Sequence, residues 1–232
     1  IGDEGIDYLA PTVSKSTDIR ILLLERNHLS SAGALQLANI ALAHNTTLQV
    51  LDLQRNKIGV SGLVAILETC CLPTSSLRTL YIEDNPVFAA CDVSHTEIHK
   101  LCGILPHTSQ LRFLGLARTE MRSEIACAIL KALKTNTSLS FLGLSGNHLG
   151  DCVASALASI LPSNDCLKRV TLSDNDLTMA SVEILLSSPS IRKMQCIWVK
   201  GNPHLSIRKL RRPLTWSAAI VSMSTVLDAH LQ

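Results

Sequence analysis

Four side chains of types that bind transition metals lie in one segment of the sequence, namely Cys91, His95, His99 and Cys102. If the segment is a helix, their spacing places them within about 80° of one face. Two of them could then contribute zinc ligands from adjacent turns. Four groups strung along one straight helix cannot surround a tetrahedral ion, so a structural role is favoured. No metal and no other cofactor is predicted.

The sequence lacks the common sequence motifs of enzyme active sites. It contains no glycine-rich phosphate loop, no HExxH and no G-x-S-x-G. His28 and His148 have no apparent serine, cysteine or carboxylate partner, and we interpret them as exposed turn residues. The sequence therefore predicts a protein that is not an enzyme.

The secondary structure that positions these residues is predicted from a repeated eleven-residue pattern, Leu-x-x-Leu-x-Leu-x-x-Asn-x-Leu, which is clearest at Leu48–Ile58. Seven copies start near residues 19, 48, 77, 111, 139, 167 and 194. Self-similarity at this period is typical of a leucine-rich repeat array. The alternating leucines predict a strand, and the apolar residues that follow have helical spacing.

The predicted fold is therefore an α/β solenoid, an open horseshoe with a parallel sheet on the concave face and helices on the convex face. We expect a single repeat domain over residues 1–232, with a partial repeat at 1–18 and a C-terminal capping helix at about 215–231. Because residue 1 falls in the middle of a repeat, we also expect that the N-terminal part of the array is missing. The copy that starts at residue 77 is longer by about five residues, in an insertion at Phe88–Glu97 that would form a protruding loop or a longer helix.

A polar side chain ends the strand pattern in each repeat. Its amide can satisfy backbone groups where the chain bends, so that stacked repeats form a ladder of asparagines. The predicted ladder consists of Asn27, Asn56, Asn85, Asn147, Asn175 and Asn202. Thr119 interrupts it, and its hydroxyl can replace only part of the bonding.

A repeat of 28 to 29 residues with a full helix resembles the ribonuclease-inhibitor-like subfamily of leucine-rich repeats. The phrases Asn45-Thr-Thr-Leu48 and Asn136-Thr-Ser-Leu139 resemble those in cytosolic NOD-like receptors. The resemblance implies a domain that binds proteins. Ran GTPase-activating proteins have the same repeat type and present an arginine to a GTPase, but no arginine here has the surrounding motif.

Composition limits the partners and the compartment. A net charge of +2 is too weak to indicate nucleic acid, and no apolar run is long enough to span a membrane. The eight cysteines lack the spacing of extracellular caps, so we expect free buried thiols and an intracellular, cytoplasmic protein. A cytoskeletal or ciliary location is the alternative. Sequons at Asn45 and Asn136 lie in the repeat turn, where asparagine suits the bend, and glycosylation is not expected.

The candidate binding surface comprises the third, fifth and seventh positions of each repeat, which the strand alternation places on the concave face. We call these positions the outward columns. Four aromatic residues fall in them, namely Tyr81, Phe113, Phe141 and Trp198. Gly115 and Gly143 predict a dent beside the two phenylalanines, flanked by charges. The charged candidates are Asp52, Glu83, Arg26, Arg55 and Arg118.

Three functions fit this pattern. The first is a non-catalytic scaffold that binds a protein or peptide on the concave face, because aromatic anchors supply much of the energy of interfaces. The second is a regulator of a GTPase or another enzyme. The third is a structural subunit of a cytoskeletal, centrosomal or ciliary assembly. The competing structural explanation for Phe113 and Phe141 is that their rings stack across strands and support the sheet.

Overall fold

The fold is described from a computed structural model that defines residues 1–89 and 94–205. Within these residues, seven short strands form one parallel sheet, and each strand pairs with its neighbours in chain order. The strands are β1 (Ile21–Leu23), β2 (Val50–Asp52), β3 (Thr79–Tyr81), β4 (Phe113–Gly115), β5 (Phe141–Gly143), β6 (Arg169–Thr171) and β7 (Cys196–Trp198). The strand pattern and its order confirm the predicted α/β leucine-rich repeat solenoid.

A helix precedes β1 and another helix links each strand to the next, as parallel pairing requires. The α-helices are α1 (Gly2–Lys15), α2 (Ser31–Gln36), α3 (Val60–Thr69), α4 (His95–Ile104), α5 (Ser123–Ala132), α6 (Cys152–Ile160) and α7 (Met179–Ser187). A π-helical segment, Leu37–Leu42, continues α2. Turns of 3₁₀ helix follow α4, α5 and α7 at Leu105–His107, Leu133–Thr135 and Pro189–Lys193.

The fourth position of the repeat forms the centre of the core. Leu51 pairs in register with Leu80, and Leu80 pairs with Leu114. All three side chains are fully buried. Residues on either side of them along each strand point to the opposite face, because side chains alternate along a strand. The register therefore places equivalent positions of successive repeats side by side on the concave face.

Local sequence explains where the helices begin and how closely they pack. The Ser30 hydroxyl accepts a hydrogen bond from the Ala32 N–H at the start of α2, and Ser94 forms a capping box with Glu97 at the start of α4. In α3, a Cβ added to Gly62 would lie 2.9 Å from the Cβ of Ala34. The absence of a side chain there lets α2 and α3 approach closely.

The asparagines of the repeat link one strand end to the next. Asn56 shows the pattern: its Nδ2 donates to the carbonyls of Leu24 at 2.8 Å and Leu53 at 2.9 Å. Its Oδ1 accepts from the N–H groups of Asn27 at 2.9 Å and Leu29 at 3.0 Å. Bonds of the same kind are made by Asn85, Asn147, Asn175 and Asn202. Each side chain thus satisfies buried backbone groups of two repeats.

Thr119 occupies the same position in the fourth repeat and bonds differently. Its Oγ1 donates to the carbonyl of Leu116 at 2.9 Å. The connection to the third repeat is made by backbone instead, because the Phe88 N–H donates to the Thr119 carbonyl at 3.0 Å. Phe88 is fully buried. This large apolar side chain fills the core, so the first residue of the insertion does not protrude, and residues 90–93 of the insertion lie outside the described residues.

A second series of asparagines lies at the turn that precedes the strands. The side chains of Asn45 and Asn136 are buried, and each Oδ1 accepts the N–H groups two and three residues further on. The Nδ2 of Asn45 donates to the Val13 carbonyl at 2.8 Å, and that of Asn136 donates to the Leu105 carbonyl at 2.7 Å. Asn164 repeats the arrangement. Both glycosylation sequons are thus part of the packing between repeats.

The cysteines depart from the expectation of buried thiols. Of the seven described cysteines, Cys70 is buried, Cys152 is exposed and the other five are half-buried. Leu, Ile, Val and Ala form the helix stripes that face the sheet, and the helical cysteines Cys102, Cys127 and Cys152 are not among the buried residues of those stripes. Cys91 and the predicted capping helix at 215–231 fall outside the described residues.

Candidate concave binding surface

A row of aromatic rings crosses the concave face from β3 to β7. The ring centroids of Tyr81 and Phe113 are 4.8 Å apart, and those of Phe113 and Phe141 are 4.2 Å apart in a stacked arrangement. The Trp198 ring is tilted, with its centroid 6.1 Å from that of Phe141. The row forms because register places Phe113 beside Phe141 and Tyr81 beside Gly115.

Stacking and exposure coexist in this row. The two phenylalanines do stack across strands, as the structural explanation of these residues requires. All four aromatic side chains nevertheless remain half-buried. Each keeps apolar surface that faces solvent, and the neighbouring rings hold it in place. The row is therefore both a support for the sheet and an apolar surface whose ring orientations are fixed.

The dent expected at Gly115 contains the carboxylate of Glu83. A Cβ at Gly115 would clash with Glu83 Oε1, so glycine is needed for the carboxylate to lie there. The Oε2 atom of Glu83 is shielded from solvent and has no hydrogen-bond partner. The pKa of Glu83 is raised to about 7, mainly by burial and also by the nearby Asp52 carboxylate, against the lowering effects of a backbone hydrogen bond and of Arg118. The carboxylate of Glu83 therefore occupies the predicted dent at its Gly115 end.

The predicted arginines lie at the rim, where they are held by carboxylates. Arg55 Nη1 is 3.1 Å from Glu25 Oε1, and its Nε is 3.5 Å from Asp84 Oδ2. Arg118 also pairs with Asp84, through Nη2 at 2.8 Å. The hydrogen bond from Arg118 is the main cause that lowers the pKa of Asp84. Arg26 has Nε 3.4 Å from Glu25 Oε1, so all three arginines belong to one rim network of ion pairs.

The eighth position of the repeat explains why these rim side chains point where they do. Arg26, Arg55, Asp84 and Arg118 have φ between 52° and 58°, in the left-handed region. Gly146 has φ of 67° at the same position of the fifth repeat. This backbone turns the side chain away from the sheet and along the rim. The rim network is therefore set beside the aromatic row rather than within it.

The structure brings most of the predicted concave residues together and adds others. Tyr81, Phe113, Phe141 and Trp198 are contiguous, with Glu83 and Asp52 next to Tyr81. Three concave side chains were not among the candidates. Ile21 and Leu23 on β1 are 59% and 65% exposed, and the Arg169 guanidinium carbon is 5.8 Å from the Phe141 ring centroid. Their place in the outward columns is the signal that could have identified them.

The histidine at the tenth position has a partner that the sequence did not suggest. His148 Nδ1 lies 3.5 Å from Asp176 Oδ2, and the two residues occupy the same position of successive repeats. The His148 side chain is 88% exposed. Its exposure agrees with the turn interpretation, whereas the expectation that no carboxylate lies near it was wrong.

A groove of about 860 Å³ lies on the convex side between α4 and α5. Its lining includes His95, His99 and Cys102 from α4 and Ile125 from α5. Within residues 1–89 and 94–205, no three His, Cys, Asp or Glu side chains come together as a metal site. Over the same part of the chain, no helix has the length and apolar character that crossing a bilayer requires.

Comparison with known proteins supports the repeat assignment. A family model described as Leucine Rich repeat matches residues 44–67. No curated protein sequence matches the chain significantly.

Solved structures with a similar fold are distant in sequence. The C-terminal domain of tropomodulin from Caenorhabditis elegans is 18% identical, with a TM-score of 0.49 over 70% of this chain and 92% of that one. Actin-binding site 2 of leiomodin-1 is 14% identical, with a TM-score of 0.44 over 62% of this chain and 78% of that one. A Bacteroides fragilis protein is 14% identical, with a TM-score of 0.48 over 80% of this chain and 58% of that one.

Proposed function

We propose that this protein is a non-catalytic interaction module that binds a protein or peptide partner on its concave face. The observation that carries the proposal is the aromatic row of Tyr81, Phe113, Phe141 and Trp198. Seven residues of the whole chain are aromatic, and four of them form this one row on the surface. Clustered aromatic side chains on one face favour an interface over a random distribution.

The energetics of binding support the row as an anchor. A partner that covers an aromatic ring removes apolar surface from water, at about 25 cal/mol per Å². The cost of ordering the side chains is small here, because stacking already holds Phe113 against Phe141. The pre-ordered rings thus reduce the part of the binding cost that comes from ordering side chains.

Within leucine-rich repeats, we assign the chain to the ribonuclease-inhibitor-like subfamily and treat it as one repeat array. The support is the length of the convex helices, since α3, α4 and α5 each have ten residues and α6 has nine. A full helix of this length needs the long repeat of about 28 residues that the sequence has.

The rim network argues against a GTPase-activating arginine. Such a residue has to extend into a partner's active site, whereas Arg55 and Arg118 are both engaged by Asp84. If either arginine moved away to reach a partner, Asp84 would lose one of its two ion pairs. The scaffold function needs no such rearrangement, and we therefore favour it.

The test compares two sets of apolar truncations in quantitative affinity capture from cell lysate. The concave variant carries Tyr81→Ala, Phe113→Ala and Trp198→Ala. The control variant carries Leu35→Ala and Ile40→Ala, which truncate exposed apolar side chains of the convex side. Circular dichroism establishes that both variants are folded.

We expect partners captured by the wild type to be lost with the concave variant and kept with the control. Partners that bind the concave variant as well as they bind the wild type would contradict the proposal. Loss with the control variant alone would transfer the binding surface to the helices.

A further inference from the structure

The charged residues of the outward columns are segregated along the sheet. Repeats 1 to 3 contribute only carboxylates to these columns, namely Glu25, Asp52 and Glu83. The strands β4 and β5 contribute no charge: their columns consist of Phe113, Gly115, Ala117, Phe141, Gly143 and Ser145. The last two repeats contribute only cations, Arg169 and Lys200. The concave face thus has an acidic end, an aromatic centre and a basic end.

At the acidic end, the carboxylate of Asp52 has no ion-pair partner in the described chain. Glu25 is paired with Arg55, but Asp52 makes no ion pair within the described residues, and its Oδ atoms accept hydrogen bonds from Gln54 at 2.9 Å and 3.2 Å. Burial raises the pKa of the neighbouring Tyr81 hydroxyl, and the charges of Glu83 and Asp52 raise it further. The effect of these two carboxylates on Tyr81 indicates a negative electrostatic potential at this end of the aromatic row.

The basic end has cations that are free to meet a carboxylate. Arg169 and Lys200 are exposed, and neither forms an ion pair with any residue in 1–89 or 94–205. The contact that the structure gives to Arg169 is with the face of the Phe141 ring. An arginine at an aromatic face keeps its donors available to an anion, because the ring engages the plane of the guanidinium rather than its edge.

The spacing of the two ends sets the size of the segment that can span them. Asp52 lies on β2 and Arg169 on β6, four strand spacings apart in the sheet. At about 4.8 Å per spacing, this is roughly 19 Å. An extended peptide advances about 3.3 Å per residue and covers that distance in about six residues. A segment that crosses the strands therefore reaches both ends if its opposite charges are about six positions apart.

We propose that the concave face binds an extended segment of a partner protein in one orientation, with a basic residue over Asp52, apolar residues over the aromatic row and an acidic residue over Arg169. This inference rests on the proposed function and specifies the chemistry of the partner. Charge complementarity sets the direction in which the segment lies, and the uncharged centre supplies the affinity.

The experiment selects peptides from a random dodecapeptide display library on four purified, folded proteins. The first is the wild type. The second exchanges the two charges, as Asp52→Arg with Arg169→Asp, and the third neutralises them, as Asp52→Asn with Arg169→Gln. The fourth is a matched control that exchanges two exposed convex charges, Lys134→Glu with Glu183→Lys. Binding of each enriched peptide is then measured by fluorescence polarisation at low and high salt, with Phe113→Ala included.

Peptides enriched on the wild type are expected to carry a basic and an acidic residue about six positions apart, with apolar residues between them. Their affinity should fall about tenfold on the charge-exchanged variant and less on the neutral variant, and it should be unchanged on the control. The charge-exchanged variant should enrich peptides of the reverse order. Higher salt should weaken binding to the wild type.

Two different failures can be told apart. Peptides that lose binding with Phe113→Ala, yet show no charge order and bind all charge variants equally, would overturn this inference and leave the proposed function standing. Enriched peptides that bind Phe113→Ala as well as the wild type would overturn both, because the aromatic row would then have no part in binding.

Discussion

Replacing Glu83 by glutamine tests the account of the carboxylate at Gly115. The structure places this side chain against the sheet, with Oε2 shielded and unpartnered, and burial raises its pKa from 4.5 to about 7. The folded state therefore binds a proton that the unfolded chain releases at lower pH. Stability contributed by this proton is fully present below pH 4.5 and is lost as the pH rises to about 7.

The magnitude follows from the two pKa values. One pKa unit corresponds to about 1.4 kcal/mol, so the wild type should lose about 2.5 kcal/mol of unfolding free energy between pH 5 and pH 8 through this group. Glu83→Gln has no proton to lose and should lack this dependence. At pH 8, where the wild type holds a buried charge, the variant should be the more stable of the two, and near pH 5 the difference should largely disappear.

The assay is urea denaturation followed by circular dichroism at several pH values from 5 to 8. The quantity of interest is the difference between wild type and variant, because titration of other groups cancels in it. The control is Glu183→Gln, the same chemical change at an exposed position of α7. Parallel stability curves for wild type and Glu83→Gln would refute the reasoning and place the carboxylate in solvent.

Three further outcomes follow from other features. Asn147→Ala removes the acceptor for the N–H groups of Thr119 and Met121, so it should lower the free energy of unfolding in urea by about 3–5 kcal/mol. Thr119→Val removes one hydrogen bond to the Leu116 carbonyl and should lower it by only about 1–2 kcal/mol. Equal losses would contradict the ladder account. Gly146→Ala should lower the free energy of unfolding by about 1–2 kcal/mol, because Gly146 has φ of 67° and the new Cβ would lie 2.7 Å from Cγ of Arg118. An unchanged urea midpoint would show that the alanine is not strained there. Burial raises the pKa of Cys70 to about 12, so a thiol reagent at pH 8 should modify Cys152 rapidly and Cys70 only on unfolding, and Cys152→Ser should remove one thiol from the rapidly modified set.

The repeat period made the fold predictable because it fixes two things at once. It places a buried leucine such as Leu51 or Leu80 in every strand, and it spaces the strands so that these residues pair in register. Aromatic residues of the outward columns then have to come together, because Phe113 and Phe141 occupy the same position of adjacent repeats. Periodicity thus carries information about contacts that are far apart along the chain.

Contacts that depend on rotamers were beyond the sequence. Glu83 could have pointed into solvent, and only the space above Gly115 decides that its carboxylate lies against the sheet. Arg55 could have paired with residues in either neighbouring repeat, and in fact it contacts both Glu25 and Asp84. The burial of Phe88 could not be predicted for a related reason, since the length of an insertion does not indicate which of its residues pack into the core.

The buried turn asparagines have a consequence for biosynthesis. Oligosaccharyl transfer replaces one of the two Nδ2 hydrogens with a sugar, and in the folded chain the Nδ2 of Asn45 donates to the Val13 and Ser16 carbonyls. A glycan at Asn45 or Asn136 would therefore separate two repeats that pack against each other. In any compartment with a glycosylating enzyme, glycosylation and folding would compete for the same side-chain amide. A chain glycosylated before folding could not form the native packing between these repeats.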